Sequence, residues 1–358
     1  MQRRLFTTAL LAAPGLAGAA DAASPAAVCR SGPDGRRALQ EQGFVRLNGV
    51  EQWVTVDSAD CRLPVLLFIH GGPGNPLSPF AASLYGAWSQ HATLVQWDQR
   101  GAGRSYGRQL PVRELAPDEF DATPLTLALM AEDGIALAEH LRERLGQRKL
   151  ILTGSSWGSA LAVEMAWRRP DLFHAYVGVS QLVGPADLAA SYTLALQRAR
   201  ELGDNPALAT LQALGAPPWT DPRSFGKLRR LLRGYEARRT DPGPAWRPAP
   251  GYDGPQDAAA YEAGEDFSFL KFVGLKGDGM LWQMDLMAQR TQLQLPVFLV
   301  QGEEDLLTPP AVTRAYFERL SAPRKQLVTV PRAGHDPNGP LLQAQLQLLR
   351  QAVLPLAR

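Results

Sequence analysis

Residues 149–165 narrow what this chain can fold into more than any other stretch. An aliphatic run, Leu150-Ile151-Leu152, leads into Gly154-Ser155-Ser156-Trp157-Gly158 and then into Ser159-Ala160-Leu161-Ala162-Val163-Glu164-Met165. The pattern is strand, tight turn, helix, with Gly-x-Ser-x-Gly centred on Ser156. A serine at such an elbow holds a strained backbone conformation, so the positions two before and two after it must be small; Gly154 and Gly158 meet that demand. The turn lifts the hydroxyl above the C-terminal edge of a parallel sheet, beside the N-terminus of a helix, whose N–H groups favour negative charge. Ser156 is therefore a candidate nucleophile. Alone, the motif also fits a plain Gly/Ser turn, and its meaning depends on the rest of the chain.

The chain's 358 residues, 45% hydrophobic and 20% charged, suffice for one large α/β core with an inserted subdomain. A net charge of +2 gives no electrostatic reason to expect a nucleic-acid partner. Arg3 and Arg4 precede the apolar stretch Leu5 to Leu16, and small residues around Ala17 to Ala22 offer cleavage sites, so residues 1–23 read as a signal peptide. The apolar run is far shorter than the roughly 20 residues that span a bilayer, so no membrane attachment is expected after cleavage. Either a Sec or a twin-arginine route implies export, to the periplasm or beyond. In an oxidising compartment Cys29 and Cys61 are expected to pair; two unpaired thiols are the alternative.

Asn48-Gly49 between Phe44-Leu47 and Val50-Val56 signals an opening hairpin. Pro64 to Ile69 is an aliphatic run suited to a doubly buried strand, and it ends in His70-Gly71-Gly72-Pro73-Gly74. Such a glycine-rich loop at a strand end leaves N–H groups bare, as an oxyanion hole requires; the expected donors are the N–H groups of Gly72 and Trp157. A plain Gly/Pro loop is the alternative. Thr93 to Trp97 reads as the next strand, followed by Asp98-Gln99-Arg100-Gly101-Ala102-Gly103-Arg104-Ser105.

Three blocks at these intervals, His-Gly-Gly-Pro-Gly, Trp-Asp-Gln-Arg-Gly-Ala-Gly-Arg-Ser and Gly-Ser-Ser-Trp-Gly-Ser, resemble the prolyl iminopeptidase family of α/β-hydrolase serine peptidases. The resemblance implies an α/β-hydrolase fold: a mostly parallel eight-stranded sheet flanked by helices, with a helical cap inserted after the sixth strand. On that reading residues 24–180 and 292–358 form the core and residues 181–291 the cap, where the composition shifts and helical patterns precede an Arg-rich tract. Arg229, Arg230, Arg233, Arg238 and Arg239 read there as a solvated face. Downstream, Asp305 fits the family's acid position after the strand Leu295 to Gly302, with Glu303 and Glu304 as lesser candidates and a helix-capping carboxylate as the alternative reading. His335 follows the strand Gln326 to Val330, where the catalytic histidine of this fold belongs. His70 is expected to orient the oxyanion loop, and Asp98, Arg100 and Arg104 to brace the loop beneath the site.

The expected chemistry is acyl transfer. His335 takes the Ser156 proton as general base and returns it to the leaving group, while Asp305 holds the imidazole tautomer. No step needs a metal or cofactor, and none is expected. The resemblance implies an aminopeptidase releasing N-terminal residues from a small peptide, proline preferred. The triad alone suits an esterase or amidase on small acyl substrates equally well, and a non-catalytic binding protein is the remote alternative. In this family cap carboxylates are understood to hold the substrate ammonium; Glu262, Glu265 and Asp266, with Asp278 and Asp285 further along, lie among Tyr261, Phe267, Phe269, Phe272 and Trp282 and are the candidates, solvated helix charges being the other reading.

Overall fold

The computed structural model describes residues 37–357. One sheet holds β1 (Leu39–Leu47), β2 (Val50–Ser58), β3 (Val65–Ile69), β4 (Thr93–Trp97), β5 (Leu150–Ser156), β6 (Phe173–Gln181), β7 (Val297–Gly302) and β8 (Lys325–Val330). Their spatial order is β1-β2-β4-β3-β5-β6-β7-β8. β1 pairs with β2, and β2 with β4, in antiparallel fashion; every other pairing is parallel. Between β3 and β4 lies α1 (Ala81–Tyr85), and before β5 come α2 (Gly103–Gln109), α3 (Pro117–Ala122) and α4 (Leu127–Arg144). α5 (Trp157–Arg168) joins β5 to β6. The β6–β7 connection carries α6 (Pro185–Glu201), α7 (Asn205–Leu214), α8 (Pro222–Glu236), α9 (Pro255–Val273), α10 (Met280–Gln283) and α11 (Leu286–Gln289). α12 (Pro310–Arg319) precedes β8 and α13 (Gly339–Leu348) follows it.

The central strands β3, β5 and β7 are mainly aliphatic because both faces of the sheet are covered there. In β3, Val65, Leu67 and Ile69 face the side packed by Met130 and Leu137 of α4 and Leu161 of α5. Leu66 and Phe68 face the other side, against Leu84 of α1 and Leu341 and Leu348 of α13. This period of two within an unbroken apolar run is the mark of a doubly covered strand. α4 starts where the Thr126 side chain accepts the Leu129 N–H at 3.1 Å, a side-chain cap for a donor that has no partner a turn back in the helix.

The chain lays β4 on one side of β3 and β5 on the other, so the connections leaving β3 and β5 diverge and open a crevice at their C-terminal ends. The β3–β5 register pairs Ile69 with Gly154, which sets the loop after β3 directly beside the residues around Ser156.

The helices inserted after β6 have an apolar cluster of their own, including Tyr192, Leu211, Trp219, Phe225, Leu228 and Leu232. The insert nonetheless shares the main core: Phe267, Met280, Met284 and Leu286 pack with the sheet-facing cluster. α9 lies closely on the loop after β4, where Ser268 Oγ donates to the Gly101 carbonyl at 2.7 Å. β1 begins at Leu39, earlier than the hydrophobic pattern suggests, because an edge strand with alternating exposed residues such as Gln40 and Gln42 pairs along its whole length with β2. Residues 1–23 and Cys29 lie outside the described residues; Cys61 is buried. Among the described residues no helix is long and apolar enough to cross a membrane.

Candidate active site

Ser156 ends β5 and caps α5 with φ +54° and ψ −125°, the strained elbow that the motif demands. A Cβ at Gly154 would lie 2.2 Å from the Gly158 carbonyl oxygen, and one at Gly158 would lie 2.0 Å from that of Ile69. Both approaches are to backbone that cannot swing aside, so the glycines are steric necessities of packing α5 over β3.

Three distant segments converge here. His335, in the loop after β8, places Nε2 3.0 Å from Ser156 Oγ, while its Nδ1 stands 3.1 Å from both carboxylate oxygens of Asp305, in the loop after β7. With Nδ1 facing a carboxylate, the ring proton belongs on Nδ1 and the Nε2 lone pair faces the serine hydroxyl. Asp305 is fully buried, which by itself would raise its pKa. The facing His335, together with hydrogen bonds from the Thr308 N–H (2.8 Å) and hydroxyl (2.8 Å), outweighs burial and holds the carboxyl below its ordinary range. For His335 burial works the other way, and the Asp305 charge overcomes it to raise the imidazole above its ordinary value. Glu303 and Glu304 do not enter this constellation: Glu304 pairs instead with Arg239 at 2.5 Å.

The loop after β3 is tied down from below. His70 donates from Nδ1 to the Gly71 carbonyl at 2.8 Å, and its Nε2 accepts the Gln99 N–H at 3.2 Å. Burial pushes its pKa down to about 4, so it stays neutral and this tautomer persists. Gln99 also donates to the His70 carbonyl (2.9 Å) and accepts from Trp157 Nε1 (3.1 Å), joining the β3 loop to the elbow, a role that no local motif marks in the sequence. Gly72 sits at φ +111°, a left-handed conformation, in the wall of the crevice, and a Cβ there would meet Asn75 Oδ1 at 2.6 Å. Among the described residues that N–H has no hydrogen-bond acceptor. The Trp157 N–H opens α5 and has no carbonyl a turn back in its own helix.

Asp98, Arg100 and Arg104 brace this region through separate partners. Arg100 makes a bidentate pair with the buried Asp133 of α4 at 2.7 and 2.9 Å. Asp98 accepts from Ser78 Oγ and from the Arg104 N–H at 3.0 Å, and burial lifts its carboxyl to about 7. The Arg104 side chain reaches Asp257 of α9 at 2.6 Å.

Two chambers meet at Ser156. The first, about 300 Å³, is mostly apolar, lined by Leu188, Phe225, Leu228, Phe269 and Phe272. The second, about 330 Å³, is more polar, with Arg233, Trp246, Tyr261 and Asp336 in its wall. Gly72, Ser156, His335, Arg229 and Glu265 border both. Of the expected cap carboxylates, Glu265 lines both chambers and Asp266 the first. Glu262 does not join them: it is exposed and borders neither, because the face of α9 that carries Tyr261 and Glu265, four residues apart, is the one turned to the site. The Arg-rich tract is likewise not one solvated face, since Arg229 points inward while Arg230 is exposed.

Two further carboxylates escaped the sequence reading. Asp187, in the first turn of α6, is 1% exposed and lines the first chamber. Its Oδ2 accepts the Val183 and Gly184 N–H groups at 2.7 and 3.0 Å, whereas Oδ1 has no partner among the described residues. Burial raises it to about 7. Glu236, at the end of α8, accepts the Leu306 N–H at 2.6 Å and the His335 N–H at 3.3 Å, bridging the loops that carry Asp305 and His335. Burial foremost, with the Asp305 charge adding, raises it to about 7. A carboxylate whose task is set by burial and by backbone partners from another segment leaves no local motif. Among the described residues no cluster of His, Cys, Asp and Glu has the arrangement to hold a metal ion.

A doubly wound sheet with a serine, histidine and carboxylate joined at its switch point, in the chain order Ser, Asp, His, defines a hydrolase architecture. The chain belongs to the alpha/beta hydrolase fold family, whose profile matches residues 64–339. It is 28% identical over 308 residues to the Bacillus subtilis (strain 168) protein named "Probable aminopeptidase YbaC", covering 82% of this chain and 89% of that one. It is 24% identical over 291 residues to the proline iminopeptidase of Lactobacillus delbrueckii subsp. bulgaricus, covering 79% of this chain and 86% of that one. Among solved structures, the proline iminopeptidase of Mycobacterium smegmatis superposes with a TM-score of 0.57 at 19% identity, over 88% of this chain and 99% of that one, a likeness of fold.

Proposed function

We propose that the chain is a serine aminopeptidase that releases N-terminal residues, proline preferred, from small peptides through an acyl-enzyme. The observation that carries the hydrolase chemistry is the relay from Ser156 Oγ through His335 (3.0 Å) to Asp305 (3.1 Å). As Ser156 attacks the scissile carbonyl, His335 Nε2 takes its proton and Asp305 stabilises the imidazolium. The developing oxyanion meets the Gly72 and Trp157 N–H groups, each worth about 3–4 kcal/mol in comparable sites. His335 then protonates the departing amine, the C–N bond breaks, and water, deprotonated by the same imidazole, hydrolyses the ester on Ser156.

Two observations support the aminopeptidase reading: the names borne by the relatives, and the half-buried Glu265 that borders both chambers with Ser156, Asp266 lining the first. A carboxylate in the wall of the chambers that also hold the nucleophile suits an N-terminal ammonium, and the apolar walls suit a pyrrolidine ring. The test compares an unblocked prolyl arylamide, its N-acetyl form and a simple aryl ester. The proposal expects N-acetylation to lower kcat/KM by about a hundredfold or more, the worth of a lost charge-assisted contact. Equal turnover of the blocked and free arylamides, with efficient ester cleavage, would establish the esterase or amidase reading instead.

We propose in addition that residues 1–23 direct export, to the periplasm, and that Cys29 pairs with Cys61. N-terminal sequencing of the exported protein and thiol titration of the denatured, unreduced chain test both; an uncleaved N-terminus or two free thiols would count against them.

A further inference from the structure

The two chambers differ in character, and the difference bears on what leaves the enzyme. The first is apolar and carries the carboxylates Glu265, Asp266 and Asp187, a setting for the acyl residue and its ammonium. The second has room for the leaving group and is bordered by Arg229 and Arg233. Arg233 is already engaged, pairing with Asp336 at 2.6 Å. Arg239 is paired with Glu304, and Arg238 lies against the Tyr235 ring. Arg229 differs. Its side chain borders both chambers, its Nε is buried with no hydrogen-bond partner, and among the described residues no carboxylate lies within ion-pairing distance. A guanidinium donor held away from water without an acceptor is costly unless something that binds there supplies one. Arginine's planar fork matches a carboxylate.

We propose that Arg229 anchors the free α-carboxylate of the departing peptide, so that dipeptides and other very short peptides are the favoured substrates. The proposal rests on the aminopeptidase reading and deepens it. In a bound dipeptide the ammonium and the carboxylate flank the scissile carbonyl on opposite sides, and Glu265 and Arg229 are the charged residues that border both chambers around Ser156. Lengthening the peptide moves the carboxylate away from Arg229, and amidation removes its charge.

The experiment measures kcat/KM for Pro-Gly, for Pro-Gly amide and for a prolyl arylamide, using the wild-type enzyme, Arg229→Gln and Arg229→Lys. The expected result is a wild-type preference for the free acid over the amide of about tenfold or more, the scale of one charge-assisted contact. Arg229→Gln should bring the acid-to-amide ratio near one, and Arg229→Lys should leave it between. Because each ratio is taken within one enzyme, a general loss of activity cancels; fluorophosphonate labelling reports whether each variant is folded. A wild-type ratio of one or less overturns the proposal even if the variants fail to fold, as does a ratio that survives Arg229→Gln. If the wild type cleaves the arylamide without preferring the acid, the aminopeptidase reading stands and the carboxylate anchor falls. Cleavage of neither peptide nor arylamide removes both.

Discussion

A side chain on Gly158 would drive its Cβ to 2.0 Å from the Ile69 carbonyl oxygen, and the obstacle is a β3 strand held on both flanks. Gly158→Ala is therefore expected to cost about 3 kcal/mol or more in urea denaturation, the upper range for overpacking, and to abolish turnover by displacing Ser156. Glu236 acts more gently. Its charge is among the groups that raise His335, so Glu236→Gln should shift the acid limb of the kcat/KM profile to lower pH. The sign follows from the active form. His335 must be unprotonated to accept the serine proton, and activity is lost as pH falls through its raised pKa, so removing a neighbouring negative charge lowers that pKa and extends activity downward. An unmoved limb would show that Glu236 only spaces the loops. At this scale the meeting of Ser156, Asp305 and His335 beside the glycine loop was legible in the sequence because each sits in a motif with a local steric or electrostatic demand. Asp187, Glu236 and Gln99 were not, because their roles come from partners brought close only by folding.

On the proposed reading, the element that matters most for substrate recognition is α9. It sets Glu265 in the wall of both chambers and Asp266 at the edge of the first, and is pinned to the core at its first turn, where Arg104 pairs with Asp257 at 2.6 Å. The guanidinium also lies 4.0 Å from the Tyr252 ring centre and 4.6 Å from that of Trp53. Arg104→Met keeps the stem and removes the charge; about 1–2 kcal/mol of local stability should go with it. Hydrogen exchange across 255–273 should accelerate and KM should rise more than kcat falls. Unchanged exchange there would show that α9 is held by its apolar face alone. The sequence showed carboxylates interleaved with aromatics in this segment, but not which face turned inward. A helix packed on both the core and the cap has no single apolar stripe, so Glu262 could not be told from Glu265. The strands were easier. β4 runs from Thr93 to Trp97 as expected, since Leu94, Val95 and Trp97 mark a buried strand between turns even with Gln96 among them.

Over the whole molecule, a core that buries carboxylates at and around its catalytic crevice has a pH signature. Burial raises Asp98, Asp187 and Glu236 each to about 7. A carboxyl raised on folding keeps its proton where the unfolded chain has released it, so its contribution to stability declines as pH climbs from the ordinary carboxylate range toward 7. Asp187→Asn should therefore gain stability relative to wild type between pH 5 and pH 8, read from urea midpoints at the two values. Its amide oxygen can accept the Val183 and Gly184 N–H groups as Oδ2 does, and a difference between the two proteins that is independent of pH would contradict the raised carboxyl. The central claim is that Ser156 is a nucleophile armed by His335 across 3.0 Å. Its most direct test is covalent labelling with a fluorophosphonate, followed by peptide mapping and by the labelling rate of His335→Ala. The mechanism predicts a single stoichiometric adduct on Ser156 and a rate lowered by about 10³-fold or more without the imidazole; no adduct, an adduct elsewhere, or an undiminished rate in His335→Ala would contradict it.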